Sequence, residues 1–350
     1  MLLLVGVSLD LSAREKNIVI VHSYNTDHVD WVPLQESGFK SKVGAEYTYH
    51  TFYMDTKNLP KEQYAEKAIE ALTLIDKKRP HLVYVTDDNA TRLVGRFVSR
   101  EIPVVFSGVN ANIRVDYPWI LNDHQNITGV LERPLIKRGL VYLSEIVGVD
   151  LTKVLIIMGK STSATAIFQN DLKGEKMFTL GENEVHIKRS EKFEDWKKWV
   201  AGSKGDGYTA VYPTMGFTVT DENSNVVGHE NIARWISANT PIPPITVHTS
   251  LIGKDMLVGC FGLNGKNMGE DAGDVANEIL VEGKLPASIK IKKQSKVIFL
   301  SGGGAANSFA TFPAYSASKT SIVRIVENLS LRFEKRFVQI EIAESKSFSN

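Results

Sequence analysis

Between Asn17 and Val247, short β-branched runs alternate with amphipathic helical stretches, and no other feature constrains the fold as much. Apolar runs at 18–22, 82–86, 104–106, 154–158, 185–188, 210–212 and 245–247 are nearly continuous. Such runs suit parallel strands buried on both faces. Among the helical stretches, 61–78 carries Ala65, Ala68, Ile69, Leu72 and Ile75 on one face at a spacing of about 3.6 residues. Pro60 stands where a first-turn proline is tolerated, and Pro80 follows the helix end. Strand–helix alternation closes by right-handed crossovers into doubly wound sheets.

The alternation runs once to about residue 130 and restarts at Lys153, with a helical segment at 135–147 between. At about 150 residues per domain, 350 residues make roughly two units. The expected class is therefore α/β, with two Rossmann-like lobes of doubly wound parallel sheet. A last strand at 256–261 and a helix at 268–282 follow, with Gly283 ending the helix and Pro286 preventing its continuation. After Lys293 the pattern breaks. Val297-Ile298-Phe299-Leu300 reads as a strand running into Ser301-Gly302-Gly303-Gly304, then a helix at 314–336 and a strand at 337–342. This short α/β fragment has too few strands for a sheet of its own. Its strand expects neighbours on both sides; without them it leans on the body of the protein or stays loosely ordered, and a bare edge is an aggregation hazard. The sequence alone therefore predicts a tail that packs poorly and whose removal leaves stability unchanged.

Composition removes several function classes. With 41 Lys+Arg against 40 Asp+Glu, the formal net charge is +1, which excludes a broad electrostatic attraction for nucleic acid. The single cysteine, Cys260, excludes an intrachain disulfide framework and a cysteine-based zinc site. Residues 1–13, MLLLVGVSLDLSA, read as a truncated signal peptide without its basic start, or else as a buried first strand with Asp10 in it. The run is too short to span a bilayer, which takes about 20 apolar residues. The mature chain is expected to be soluble and extracytoplasmic.

Ligands of open parallel sheets sit beyond the carboxyl ends of the strands. In the first half those ends carry His22-Ser23-Tyr24-Asn25 with Trp31, then Thr86-Asp87-Asp88-Asn89, then Ser107-Gly108-Val109-Asn110. In the second half they carry Gly159-Lys160-Ser161-Thr162-Ser163, Pro213-Thr214-Met215 and His248-Thr249-Ser250. Hydroxyls, amides and helix N-termini suit a small polar or zwitterionic ligand. The same residue types also cap helices, and Trp31 serves equally to pack a helix or to stack a ligand. His22 and His248 are cleft residues or hydrogen-bonded structural histidines. Two adjacent acids, Asp87 and Asp88, lack a further spaced ligand, so no metal is expected. Gly159-Lys160-Ser161 lacks the glycine spacing of a phosphate loop, and neither H-E-x-x-H nor G-x-S-x-G occurs.

Ile18-Val19-Ile20-Val21-His22-Ser23-Tyr24, Trp31 and Glu36-Ser37-Gly38-Phe39 resemble the opening of the ABC-transporter substrate-binding-protein-like family. Similar pieces follow in order at 79–83, 86–90, 102–110 and 126–130, and again at Gly269, Ala272, Ala276, Ile279-Leu280, Gly283 and Pro286. The likeness covers about residues 15–292. It implies a type I periplasmic-binding-protein fold, with two lobes closing on a ligand and no catalysis or cofactor. It implies a monomer that serves a membrane ABC permease or a sensor partner. The binding residues it implies are Ser23, Tyr24, Trp31, Asp87, Asn89, Ser107, Asn110, Ser161, Thr162, Thr214 and Thr249.

The tail at about 294–343, with Lys296-Val297-Ile298-Phe299-Leu300-Ser301-Gly302-Gly303-Gly304 and Tyr315-Ser316-Ala317-Ser318-Lys319, resembles a fragment of a short-chain dehydrogenase/reductase. A lysine four residues after a tyrosine lies over it on a helix and lowers its pKa. That family opens with a glycine-rich cofactor turn, and none precedes this tail; residues 18–25 end in His-Ser-Tyr-Asn. Without a nicotinamide site Tyr315 and Lys319 transfer no hydride, and the tail reads as an inactive fused fragment. The expected division is a leader at 1–13, a first lobe at 14–131, a second lobe at 132–255, a return crossover at 256–293 and the fragment at 294–350.

Overall fold

The apolar runs become strands because both of their faces are covered. In β1 (Asn17–His22), Ile18 and Ile20 face one core while Val19 and Val21 face the other, as the two-residue period of a strand requires. The structure is a computed structural model that describes residues 15–26, 31–122, 125–133, 136–147, 151–252, 255–257, 259–293, 297–301 and 338–340. The leader, the tail helix at 314–336, and Tyr315 and Lys319 lie outside these residues.

The first lobe continues through α1 (Trp31–Val43), β2 (Thr48–Tyr53), α2 (Tyr64–Lys78), β3 (Leu82–Thr86), α3 (Asp87–Leu93), β4 (Val104–Val109), α4 (Trp119–Asn122) and β5 (Ile127–Leu131). Helix α2 starts one turn later than the sequence predicts, because Lys61–Gln63 form a 3₁₀ turn. Its packed face is also rotated. Ala68, Ala71 and Ile75 are buried while Ile69 is 64% exposed. Edge strand β2 is absent from the sequence reading because its side chains are mixed polar and aromatic and only half-buried.

The chain crosses to the second lobe at α5 (Ile136–Val147) and continues through β6 (Lys153–Met158), α6 (Thr162–Asn170), β7 (Met177–Leu180), β8 (Asn183–Arg189), α7 (Phe193–Gly202), β9 (Ala210–Thr214), α8 (His229–Asn239), β10 (Ile245–His248) and β11 (Gly259–Leu263). Strand β11 lies about three residues beyond the predicted 256–261. It crosses back into α9 (Gly265–Leu280), which starts where the Asn264 side chain accepts a hydrogen bond from Lys266 N–H at 2.7 Å. Next comes the short β12 (Lys292–Lys293), and a third crossing leads to β13 (Val297–Ser301) and β14 (Val338–Ile340).

The first lobe's sheet has the order β12-β5-β4-β3-β1-β2 and is parallel throughout. The second lobe holds β7-β8-β6-β9 and β10-β11-β13-β14. Val211 N–H of β9 donates to Pro243 O just before β10, which brings these two sheets edge to edge. β7 is antiparallel to β8, and β13 is antiparallel to β11. Of the two outcomes open to the tail strand, leaning on the body or staying loosely ordered, it takes the first. β13 is paired on both sides, with β11 and with β14, so it leans on the body of the second lobe rather than standing apart. Among the described residues no helix is long and apolar enough to cross a membrane.

Candidate ligand cleft between the lobes

The carboxyl ends of β1, β3 and β4 face the N-terminus of α6 and the ends of β9 and β10 across a narrow cleft. Its walls carry Tyr24, Trp31, Lys57, Asp87, Asn110 and Glu132 from the first lobe side. Ser161, Ser163, Met215, Phe217 and His248 come from the second. The enclosed free volume is about 30 Å³, room for a water or two, so the lobes stand closed on each other. Side chains on the two walls join them directly. Tyr24 Oη and Ser163 Oγ share a hydrogen bond of 2.9 Å, and Lys57 Nζ lies 3.7 Å from the ring centres of both Tyr24 and Phe217.

Local backbone geometry aims Asp87 into this space. It is the first residue of α3 and has φ +64°, a left-handed conformation that Asp tolerates better than most side chains. Its neighbour Asp88 turns away. Asp88 accepts Ala111 N–H at 3.1 Å, Asn110 N–H at 3.2 Å and Tyr117 O–H at 3.1 Å, which ties α3 to the loop after β4. The paired acids of the sequence are thus split into one cleft residue and one scaffold residue. Among the described residues, Asp87 Oδ2 and Asn110 Oδ1 are buried without a hydrogen-bond partner. Arg133 donates to Val109 O at 2.9 Å and Ala111 O at 3.1 Å and so fixes the same loop.

Burial governs the cleft's charges. It pushes the Asp87 carboxyl up to about 7, against the pull of the Lys57 ammonium. It pushes the Glu132 carboxyl well above its ordinary range, and the Asp87 charge adds to this. Lys57 is pushed down to about 8 by burial, with Asp87 and Glu132 holding it up. His248 is pushed down to about 3, by burial first and then by Lys57. It is a neutral ring whose Nε2 accepts Thr214 O–H at 3.1 Å and Met215 N–H at 3.4 Å. Its ring sits edge-on to Phe217 and His229.

Five of the sequence-selected residues line the cleft: Tyr24, Trp31, Asp87, Asn110 and Ser161. The other six do not line it, and five of them have a structural partner instead. Ser23 Oγ donates to Thr86 O at 2.6 Å and accepts Ala90 N–H at 2.7 Å, bracing α3. Asn89 donates to Thr56 Oγ1 at 2.9 Å, and Ser107 Oγ is bonded to Tyr84 Oη at 2.6 Å. Thr162 opens α6, while its neighbour Ser163 faces the cleft. Thr214 holds His248, and Thr249 donates to Leu263 O at 3.3 Å. His22 is likewise structural, bonded to Thr86 Oγ1 at 2.9 Å and Glu36 Oε2 at 3.1 Å. Sequence reasoning placed Ser163 and Met215 at strand ends without selecting them as binding residues, and it missed Lys57, Glu132 and Phe217. Phe217 and Met215 follow β9 within reach of the strand-end rule. Lys57 follows the unread strand β2, so its sequence offered no signal.

Several solved structures share this arrangement. The ligand-free, open structure of a substrate-binding protein with adhesive properties from Clostridium difficile matches with a TM-score of 0.58 and 12% identity, over 86% of this chain and 95% of that one. The two chains share a two-lobe α/β fold. The ABC domain in complex with L-Trp from Streptococcus pneumonia matches with a TM-score of 0.61 and 9% identity, over 89% of this chain and 98% of that one. A conserved domain protein from Vibrio cholerae matches with a TM-score of 0.60 and 12% identity, over 93% and 99%. The type I fold expected from the sequence resemblance is therefore present. No protein-family model and no curated protein matches the chain.

Proposed function

We propose that this chain is an extracytoplasmic solute-binding protein that captures a small polar or amino-acid-like ligand between its lobes and serves an ABC importer. The observation that carries this reading is the cleft itself. Polar groups of both lobes converge there, and among the described residues two buried acceptors in the lining, Asp87 Oδ2 and Asn110 Oδ1, lack hydrogen-bond partners. A ligand that contacts both walls gains affinity for the closed form alone, and only that difference shifts the population from open to closed. A membrane permease would then read the closed surface. The residues assigned to the ligand are Tyr24, Trp31, Asp87, Asn110 and Ser161, joined by Lys57, Glu132, Ser163, Phe217 and His248.

The walls also support a non-enzymatic role. His248 is committed as an acceptor to Thr214 and Met215, and no hydroxyl in the lining is bonded to a basic partner that would activate it. The test is a thermal melt of residues 14–350 against amino acids, small carboxylates, sugars, nucleosides and NADPH. A ligand at about 100 times its Kd adds about 2.7 kcal/mol to the folded state. A shift with one small-solute class supports the reading. A shift with NADPH alone overturns it in favour of a dehydrogenase.

A further inference from the structure

The Lys57 ammonium lies between two aromatic rings and among acids. Its Nζ is 3.7 Å from the Tyr24 ring centre in one lobe and 3.7 Å from the Phe217 ring centre in the other. The carboxyls of Asp87 and Glu132 act on it electrostatically. Asp87 Oδ2 and Asn110 Oδ1 are buried in the same lining, and among the described residues neither accepts a hydrogen bond. Aromatic faces attract cations through their quadrupole, most strongly where water is excluded. Buried acceptors without donors cost free energy until a donor arrives. Rings, carboxyls and free acceptors together form a receptor for a cation with N–H or N–CH₃ groups. The chain fills that receptor with its own side chain.

Building on the solute-binding reading, we infer that Lys57 is a tethered stand-in for the ligand, and that the cleft's true ligand carries an organic ammonium group that takes the place of the Lys57 ammonium between Tyr24 and Phe217. Lys57 follows the edge strand β2 and reaches the second lobe at Phe217, so it also holds the lobes together before ligand enters. The ligand ammonium must displace it, and a bound state that competes with a self-contact has its apparent affinity reduced by the fraction of molecules in that self-contact. Removing the Lys57 ammonium therefore tightens cation binding. Were Lys57 instead a contact for a ligand carboxylate, removing it would weaken binding.

The probes share one skeleton. Phenylethylammonium is a cation, L-phenylalanine a zwitterion and 3-phenylpropanoate an anion. Tetramethylammonium and its neutral counterpart tert-butanol cover a smaller pocket. Each is titrated into the full chain and into Lys57→Met, with tyrosine and tryptophan fluorescence and the melting temperature as readouts. The expected result is binding by at least one ammonium-bearing probe, no binding by 3-phenylpropanoate or tert-butanol, and a Kd at least fivefold lower in Lys57→Met. Relative affinities of phenylethylammonium and L-phenylalanine then tell an amine from an amino acid. Phe217→Leu serves as a second variant and should raise the Kd of the same probe, since it removes one of the two rings. Equal or tighter binding of the anion or the alcohol overturns the inference, as does a Kd in Lys57→Met that is unchanged or higher. Binding of no ammonium probe by either protein also overturns it. In each of those cases the solute-binding reading stands if any class in the broader thermal panel binds, and falls only if none does.

Discussion

Helices α1 and α9 meet backbone to backbone, and the contact can be tested with one methyl group. A Cβ on Gly269 of α9 would lie 2.0 Å from the Gln35 carbonyl oxygen of α1, and a Cβ on Gly38 would lie 2.1 Å from Lys266 O. Ordinary contact begins near 3.4 Å, so Gly269→Ala must part the helices by about 3.4 − 2.0 = 1.4 Å. Two effects oppose each other. Alanine raises helix propensity by about 0.5–1 kcal/mol over glycine. Overpacking a tight site costs about 1–3 kcal/mol, and a gap of about 1 Å between packed surfaces forfeits up to about half of their dispersion energy. The blocking atom is a main-chain oxygen that no rotamer change can move, so the clash wins. The expected net loss is about 2 kcal/mol, which for a chain of this size is a fall in Tm of roughly 3 °C. Calorimetry with matched urea unfolding reads it. The control is Gly202→Ala at the end of α7, where the added Cβ meets only Asp206 Oδ2 at 4.0 Å; it should gain about 0.4–1 kcal/mol. A Gly269→Ala protein as stable as the parent would refute the close packing of α1 on α9.

Three further outcomes follow from the same geometry. Tyr24→Phe deletes the 2.9 Å hydrogen bond to Ser163 between the lobes, worth about 0.5–1.5 kcal/mol, so the open form should gain about two- to tenfold in population. Small-angle scattering should show a larger radius of gyration, and an unchanged radius would count against Tyr24 as a latch. Burial alone would raise the Glu36 carboxyl, but hydrogen bonds from His22 and Lys40 outweigh it and bring the pKa down from 4.5 to about 2. A depressed folded-state pKa stabilises above the unfolded value, and that stability is lost as pH falls from about 4.5 to about 2. The urea midpoint should therefore drop over that range, and Glu36→Gln should flatten the drop; parallel profiles for both proteins would refute the assignment. Ending the chain after Lys293 strips β13 from β11 and bares an edge in the second lobe. The truncated protein should melt several degrees lower, and an equal Tm would restore the sequence-based expectation that the tail is dispensable.

Much of the layer structure was legible in advance because burial on both faces writes itself into consecutive apolar residues. The runs at 82–86 and 154–158 needed only a β-branched, uncharged composition to be read as central strands. Edge elements lacked that mark. β2 pairs with β1 alone and is half-exposed, so Thr48, His50 and Thr51 break the apolar signal. β7 is antiparallel and four residues long. The cleft was partly legible for the same reason. Asp87, Asn110 and Ser161 follow strands that were found, whereas Lys57 follows the strand that was not.

By itself, the sequence determined that the chain is an α/β protein of two similar lobes with polar strand ends, because strand burial and helix amphipathicity are local patterns of period two and about 3.6. Only the tertiary structure decided which polar residues face the cleft and which brace the scaffold. Ser23, Asn89 and Ser107 look like binding residues in one dimension, yet Ser23 and Ser107 bond to neighbouring strands and the Asn89 amide donates to Thr56. Tertiary structure also brought Lys57, Tyr24 and Phe217 together, and it seated β13 beside β11 across about forty residues of chain. The Lys57 contacts depend on how the two lobes meet and the β13–β11 pair on where the returning chain docks, and no local periodicity encodes either.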